Sequence, residues 1–432
     1  MELKRVLIIS YYWPPSGGSG VQRWLYFTKY LPANGWEPVI YTVKNGEYPY
    51  IDPSLNQHIS EGLEIVKGSI WEPYTLFKKL SGTKEKVNPS IFSEMERGSW
   101  FKRFLLWIRG NFFIPDARMF WIRPSVRLLK NYLKQHPVDF IVSTGPPHST
   151  HLIARALKRK LGIPWLADFR DPWTQIYSFK QLNLTDLSKR IHSRLEKSVL
   201  LEADLIVTVS QDCKKGLESI VDREVLVITN GYETFPIQKP VKNRSKIKML
   251  YAGVLSADRN PNVFWKVLEN YLMDFPRIAD KFELILIGNI DPLIIAQIHA
   301  SSLNQYLQVH PSMPHNRLQD FLFDADLLLL IGVPGNKGVI TGKFFEYMYL
   351  QKPIYSISPK DSDVVSILNE TESGLNADYS DAEQLYTNLE RLIEMVTNNS
   401  FHSNENKIAN YSRKKLTTAI SSLMDLYLDK HN

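Results

Sequence analysis

Short apolar runs alternate along the chain with longer stretches in which apolar residues recur every three or four positions. The runs have strand length and read as strands buried on both faces, and the longer stretches read as amphipathic helices. Strands are expected at 5–10, 37–43, 140–144, 164–169, 204–210 and 224–231, with helices at 21–34, 151–161 and 188–203. Residues 51–131 follow a less regular pattern. A polar, Pro- and Lys-rich stretch at 235–246 interrupts the alternation, which then restarts. Strands are expected at 248–253, 282–288, 327–333 and 353–358, and helices at 262–275, 292–301, 342–350, 382–397 and 413–428. Alternating strands and helices are the signature of parallel sheets covered by helices. The sequence therefore predicts an α/β protein with two domains, 1–235 and 236–405.

Composition narrows this picture. With 432 residues, 44 % hydrophobic and 22 % charged, disorder and coiled coil are poor readings of the whole chain. Lys and Arg number 52 against 45 Asp and Glu, a formal charge of +7. That surplus is too mild to indicate nucleic acid, so its placement matters more than its size. The single cysteine, Cys213, excludes an intramolecular disulfide and a Cys-rich zinc site, and reads as a small buried residue. The first apolar run, Val6 to Ile9, is too short for a signal-peptide core. No stretch reaches the roughly 18 apolar residues of a membrane-spanning helix. A cytoplasmic protein, soluble or on a membrane surface, is expected.

Candidate chemistry gathers at the predicted strand ends, where open parallel sheets bind ligands. The segment PPSGGSGVQR brings Gly17, Gly18 and Gly20 between the first strand and its helix. Glycines admit close backbone approach, and a helix start offers free N–H groups to an anion. The spacing is not that of a dinucleotide fingerprint. Arg23 follows, either adding positive charge or lying solvated on the surface. STGPPHSTH places His148 in a loop as an acid, base or phosphate donor, with His151 a structural residue at the next helix start. ADFRDPW supplies Asp168, Arg170 and Asp171, either a group for sugar hydroxyls or phosphate or an internal salt bridge. Strand alternation puts Asp168 and Arg170 on one side. In the second half, AGVLSADRNPN offers Arg259 as the one strong cation of its turn. TGKFFEYMYLQKPI places Thr341 and Gly342 at a helix start, adds Lys343, and sets Glu346 one turn on, where a carboxylate can accept ribose hydroxyls. A different signal lies at 97–113, with Arg97, Lys102, Arg103 and Arg109 and no acid. On a helical wheel Trp100, Phe101, Phe104, Leu105 and Ile108 share one face while Lys102 and Arg109 point away, which suggests a helix lying on an anionic membrane surface, with Arg103 and Trp107 as further membrane-facing candidates. The alternative is a core helix with a solvated rear.

Together, SYYWPPSGGSGVQR, the SQ and ITNGYE strand ends, YAG, LILIG and above all TGKFFEYMYLQKPI resemble the family 4 glycosyltransferases of GT-B fold. The resemblance implies two Rossmann-like domains facing each other across a cleft, with segment 406–432 returning to the first. It implies retaining transfer of a hexosyl or N-acetylhexosaminyl group from a nucleotide diphosphate sugar to a glycan or lipid-linked acceptor, without a metal or other cofactor. Glu346 takes the position of the ribose-binding Glu, followed by Lys352-Pro353. Gly17, Gly18, Gly20, Gly253, Gly288, Thr341, Gly342 and Lys343 take positions of nucleotide-sugar contacts. Arg259, His148, Asp168, Arg170 and Asp171 are implied for catalysis and for sugar and acceptor binding. Domain closure would bring the two sets together. Three positions depart from the family. Gly338 stands where a first Glu is usual, Arg170 where a His is common, and Val254 where an Arg follows the strand glycine. An epimerase of the same fold and a catalytically silent membrane-surface module are the alternatives. Nucleic acid is not an expected partner.

Overall fold

A computed structural model of the chain describes residues 3–48, 50–71, 100–176, 179, 182–235 and 246–431. It divides into two compact units, one of Met1–Thr229 with Arg413–Asn432 and one of Asn230–Ser412. The division falls at 229/230 and 412/413, where the sequence reading has 235/236 and 405/406.

The first unit holds β1 (Lys4–Ile9), α1 (Ser19–Tyr30), β2 (Trp36–Val43), β3 (Glu64–Gly68), α2 (Trp100–Phe112) and α3 (Met119–Gln135). It continues with β4 (Phe140–Gly145), α4 (Ser149–Leu161), β5 (Trp165–Phe169), α5 (Asp186–Glu202), β6 (Leu205–Thr208), α6 (Gln211–Glu218) and β7 (Leu226–Val227). All seven strands are parallel, in the order β3-β2-β1-β4-β5-β6-β7. Both faces of the sheet are covered, which is why β1 reads as an unbroken apolar run. Val6 and Ile8 point into one core with Trp24 and Phe27, and Leu7 and Ile9 into the other with Trp121 and Ile153.

The second unit holds β8 (Ile247–Leu255), α7 (Asn262–Asp274), β9 (Phe282–Ile290), α8 (Pro292–His299), β10 (Leu307–His310) and α9 (His315–Asp324). Then follow β11 (Leu327–Ile331), α10 (Gly342–Tyr349), β12 (Ile354–Ile357), α11 (Asp363–Thr371), β13 (Gly374–Ala377) and α12 (Ala382–Thr397). Its parallel sheet runs β10-β9-β8-β11-β12-β13. The last helix, α13 (Arg413–His431), belongs to the first unit. Ile420 and Met424 enter the core of Val6 and Ile8, and Asp425 accepts the Trp36 indole N–H at 3.0 Å.

The two sheets share one order, three-two-one-four-five-six, with β7 added at the edge of the first. In such doubly wound sheets the order reverses beside the first strand, and the crevice at the carboxyl ends there is the usual ligand site. Those points are β1/β4 and β8/β11. In the second unit the crevice is widened by the pairing itself. β8 stays in register with β9 from Ile247↔Phe282 to Leu255↔Ile290, but meets β11 only at Met249↔Leu327 and Leu250↔Leu328.

Several elements differ from the sequence reading. The less regular stretch 51–131 contains β3, α2 and α3. Strands β10 and β13 and helices α6, α9 and α11 add to the expected elements, and β7 is only Leu226–Val227. Among the described residues no helix is long and apolar enough to cross a membrane.

Candidate functional site

In the first unit the crevice floor is a buried ion pair. The Asp168 carboxylate is fully buried and accepts both Nε and Nη2 of Arg23 at 3.0 Å. The Trp24 indole N–H at 2.6 Å and the Thr144 hydroxyl at 2.9 Å complete its shell. The remaining Arg23 Nη1 donates to the Thr229 carbonyl at 2.7 Å. With every oxygen occupied and no exposure, Asp168 ties α1 to β4 and β5 and has no atom left for a ligand. Arg23 is likewise neither solvated nor free to bind an anion, since its charge is neutralised within the core.

Arg170 lies just past β5 and reaches back to the glycine-rich loop. Its Nη1 donates to the Gly20 carbonyl at 2.5 Å and its Nη2 to the Pro146 carbonyl. A Cβ on Gly20 would run into this guanidinium, so glycine there follows from the Arg170 contact. Gly18 has φ +95°, a left-handed conformation suited to glycine, and opens α1. The Gly17 N–H bonds to the Tyr50 carbonyl at 2.9 Å, so the loop is held by its own chain on both sides.

His148 starts α4 and stacks flat on Trp173, with centroids 4.7 Å apart and planes 2° off parallel. Burial first, then the charges of His151 and Arg170, hold it well below the ordinary histidine pKa, so it is neutral. Its Nδ1 has no hydrogen-bond partner among the described residues. His151 is fully buried, shares a 2.8 Å hydrogen bond with Ser143 and is pushed by burial to a pKa of about 3. Asp171 differs from Asp168. It is only partly buried, makes no described hydrogen bond, and has its pKa raised by burial against the pull of Arg170. The groups of this crevice left without a described hydrogen bond are therefore the buried His148 Nδ1 and Asp171.

The second crevice is built from backbone and cations. Gly253 and Gly288 face each other across β8 and β9. A Cβ on Gly288, whose φ is +127°, would strike the Gly253 backbone, and one on Gly253 would meet the Lys343 ammonium. Above them the Lys343 ammonium donates to the Ala252 carbonyl at 2.7 Å. Burial lowers its pKa, while Glu346, one turn further along α10, works in the opposite direction. Thr341 precedes α10 without a capping side-chain bond, and the space over Gly342 is open. Arg259 is half-buried, and its charge reaches the phenols of Tyr251 and Tyr379. Tyr251 in turn donates to the Val254 carbonyl at 2.9 Å, and Arg259 closes the short helical turn that follows β8. Thus Gly253, Gly288, Thr341, Gly342, Lys343, Glu346 and Arg259 surround one strand end.

Residues 18–234 match the description of Glycosyltransferase Family 4. That is half of the chain. The protein belongs to glycosyltransferase family 4. Solved structures resemble it over nearly the whole length. The sucrose-phosphate synthase of Thermosynechococcus elongatus has a TM-score of 0.61 at 14 % identity, over 99 % of this chain and 100 % of that one. A glycosyltransferase from Rickettsia africae gives 0.64 at 13 %, over 99 % of each chain. Anabaena HepE in complex with UDP gives 0.58 at 13 %, over 99 % and 98 %. At these identities the likeness is one of fold, that of the GT-B glycosyltransferases. No curated protein matches the sequence.

Against the family 4 pattern, the departures take on structural detail. Val254, in the place of an Arg, is exposed, and the cations near it are Lys343 and Arg259. Beside Gly338, Lys337 pairs with Asp361, and its carbonyl accepts the Asp363 N–H at 2.9 Å. Lys352 of the K-P pair bonds the last carbonyls of α9, at Leu322 (2.9 Å), Phe323 (2.5 Å) and Ala325, and so closes a helix end. Two supporting carboxylates escaped sequence reasoning. Asp116 caps α4 through the Ser149 N–H (2.9 Å) and hydroxyl (2.7 Å). Buried Glu196 accepts the N–H groups of Trp173 and Thr174, fixing the loop that carries Asp171. Both act across long sequence separations, which no local spacing reveals. Cys213 is buried, with its thiol pushed up to about 12, an inert core position.

In α2, Trp100 and Phe104 are exposed and Trp107 is half-buried, stacked on Phe104 at 6.1 Å. The side chains of Phe101, Lys102 and Arg103, and Arg97 entirely, lie outside the described residues.

Proposed function

We propose that this family 4 protein transfers a hexosyl or N-acetylhexosaminyl group from a nucleotide diphosphate sugar to an acceptor hydroxyl, with retention of anomeric configuration. The observation that carries the reading is the second crevice, where paired glycines, an ammonium group and an uncapped helix start surround one strand end with a carboxylate one turn away. The α10 start and Lys343 suit phosphate oxygens, and Glu346 suits the two ribose hydroxyls. Anabaena HepE, of the same fold, has been solved with UDP and with UDP-glucose, which supports this donor class.

In the reaction, the bond from the anomeric carbon to the diphosphate oxygen breaks and a bond to the acceptor oxygen forms. The nucleoside diphosphate leaves with the electron pair, and the acceptor hydroxyl's proton passes to its departing oxygen. Fixed positive charge lowers the barrier when it meets the departing diphosphate more strongly than the intact donor. We assign that role to Arg259, Lys343 and the α10 start, with no metal in the scheme. In the first unit, neutral His148 and Asp171 bind acceptor or sugar hydroxyls, and Arg170 shapes the glycine-rich loop beside them. The product belongs to a polysaccharide or lipid-linked surface glycan, made in the cytoplasm at the inner face of the membrane, with the α2 aromatics toward lipid.

Titration calorimetry with nucleoside diphosphates tests the assignment. Glu346→Ala should weaken binding about tenfold or more, the worth of a hydrogen bond to a charged group, without lowering the melting temperature. Unchanged affinity removes Glu346 from the site. Product analysis without acceptor separates transfer from epimerisation, which alone would release an altered donor sugar.

A further inference from the structure

Helix α3 carries a feature that the transfer chemistry does not use. Arg123, Arg127, Lys130 and Lys134 recur at intervals of four, three and four residues, so they form one stripe along the helix. At 1.5 Å per residue the stripe is about 16 Å long. The opposite face is locked. Trp121, Ser125, Leu129 and Leu133 are buried, Trp121 stacks on Tyr41 at 5.3 Å, and Ser125 accepts the Tyr41 hydroxyl at 2.7 Å. The stripe therefore has a fixed outward direction. Arg123, Arg127 and Lys134 are exposed and Lys130 half-buried, and none of the four forms an ion pair or hydrogen bond among the described residues. Across 97–134 there is one acid, Asp116, and it is engaged at the start of α4.

An aromatic cluster stands at the amino end of the same stripe. Phe120, one turn before Arg123, packs edge-on against Trp71 with centroids 4.8 Å apart and contacts Phe113 at 6.1 Å. Trp71 is 58 % exposed and Phe120 41 %. Such rings gain by leaving water, and a row of cations beside them favours an anionic surface. A soluble polyanion would use the cations but leave the rings wet. A bilayer interface takes both, rings at the headgroup level and Lys or Arg against anionic lipid.

We infer that Trp71, Phe113 and Phe120 form a wedge, and the Arg123–Arg127–Lys130–Lys134 stripe a rail, by which the first unit binds an anionic lipid surface. This deepens the membrane part of the proposed function, enlarging the contact beyond α2, and does not depend on which sugar is moved.

Co-sedimentation of the full chain with phosphatidylcholine vesicles, with and without phosphatidylglycerol, tests it. The chain should bind the anionic vesicles and release them in high salt. Replacing the four stripe residues by Gln should weaken partitioning by roughly fivefold per charge. Phe120→Ser should weaken it about tenfold while leaving binding to dextran sulfate unchanged. Melting temperatures of these surface variants should match the parent. Wild-type vesicle binding by the four-Gln variant overturns the inference. So does a Phe120→Ser chain that binds vesicles normally, because the stripe then reads soluble polyanions. If Trp100→Ser with Phe104→Ser abolishes binding and the stripe variant does not, α2 alone faces lipid and the rail is wrong. Unchanged transfer to a soluble acceptor by the stripe variant shows that the reaction assignment is independent.

Discussion

The two crevices occupy equivalent places in two sheets of one strand order, yet they treat charge in opposite ways. In the first unit Arg23 and Asp168 neutralise each other in the core, and two further donors complete the carboxylate. In the second, Lys343 holds a backbone carbonyl and has the electrostatic company of Glu346, while the charge of Arg259 acts on the phenols of Tyr251 and Tyr379. A charge whose partners lie within the fold is part of the scaffold. A charge that forms no direct ion pair in the fold is held ready for a ligand that brings the opposite sign. Topology marks both places, and the partners tell which one is chemically open.

The sharpest test of that contrast is the buried pair. Asp168→Ala strands Arg23 in the core with Trp24 and Thr144 also unpaired. Removing one member of a buried pair costs about 3–5 kcal/mol. Urea unfolding should show a loss of that size, and adding Arg23→Met should recover part of it, since no bare charge then remains. Should Asp168→Ala fold normally and lose acceptor binding instead, the contrast collapses and Asp168 belongs to the site.

Lys343→Met should behave the other way. Burial already disfavours the ammonium, so an apolar side chain of similar length leaves stability unchanged or improves it. Turnover should fall about a hundredfold, the usual loss for one preorganised group facing developing charge. A drop in melting temperature with turnover intact would class Lys343 as scaffold.

The same logic explains what was legible in the sequence. Central strands such as β1 and β9 are buried on both faces and announce themselves as unbroken apolar runs. The strands that escaped, β3, β10 and β13, are all edge strands. Four or five residues long and half-covered, they carry mixed segments such as EIVKG, LQVH and GLNA. Helix α3 was obscured by Pro124 inside it and by its charged stripe. In the candidate site, the placement of the glycines and of the Thr341–Gly342 helix start at strand ends is legible in the sequence because it is set locally. The roles of Asp168 and Arg23 are not, because their pairing spans the interval from α1 to β5. The sequence places Arg170 in a ligand-binding group or an internal salt bridge, whereas in the fold its guanidinium donates to two backbone carbonyls.

The smallest expected effect separates two neighbours on one loop. Asp171 lies three residues from Asp168 but has no described hydrogen bond, and burial raises its pKa above the ordinary carboxylate value. The folded chain therefore keeps this proton to a higher pH than the unfolded chain. Between those two values the folded state binds more protons, so stability falls as pH rises through the window and stays lower at neutral pH. Asp171→Asn removes the titrating group while keeping its shape. The variant should be slightly more stable than the parent at neutral pH, and the gain should vanish in acid below the ordinary carboxylate range. Urea midpoints measured across pH would show it, and acceptor KM should rise in the same variant if the carboxylate binds a hydroxyl. A loss of stability at neutral pH would mean that Asp171, like Asp168, is anchored inside the fold, and the first crevice would then retain only His148 as a group without a described hydrogen bond.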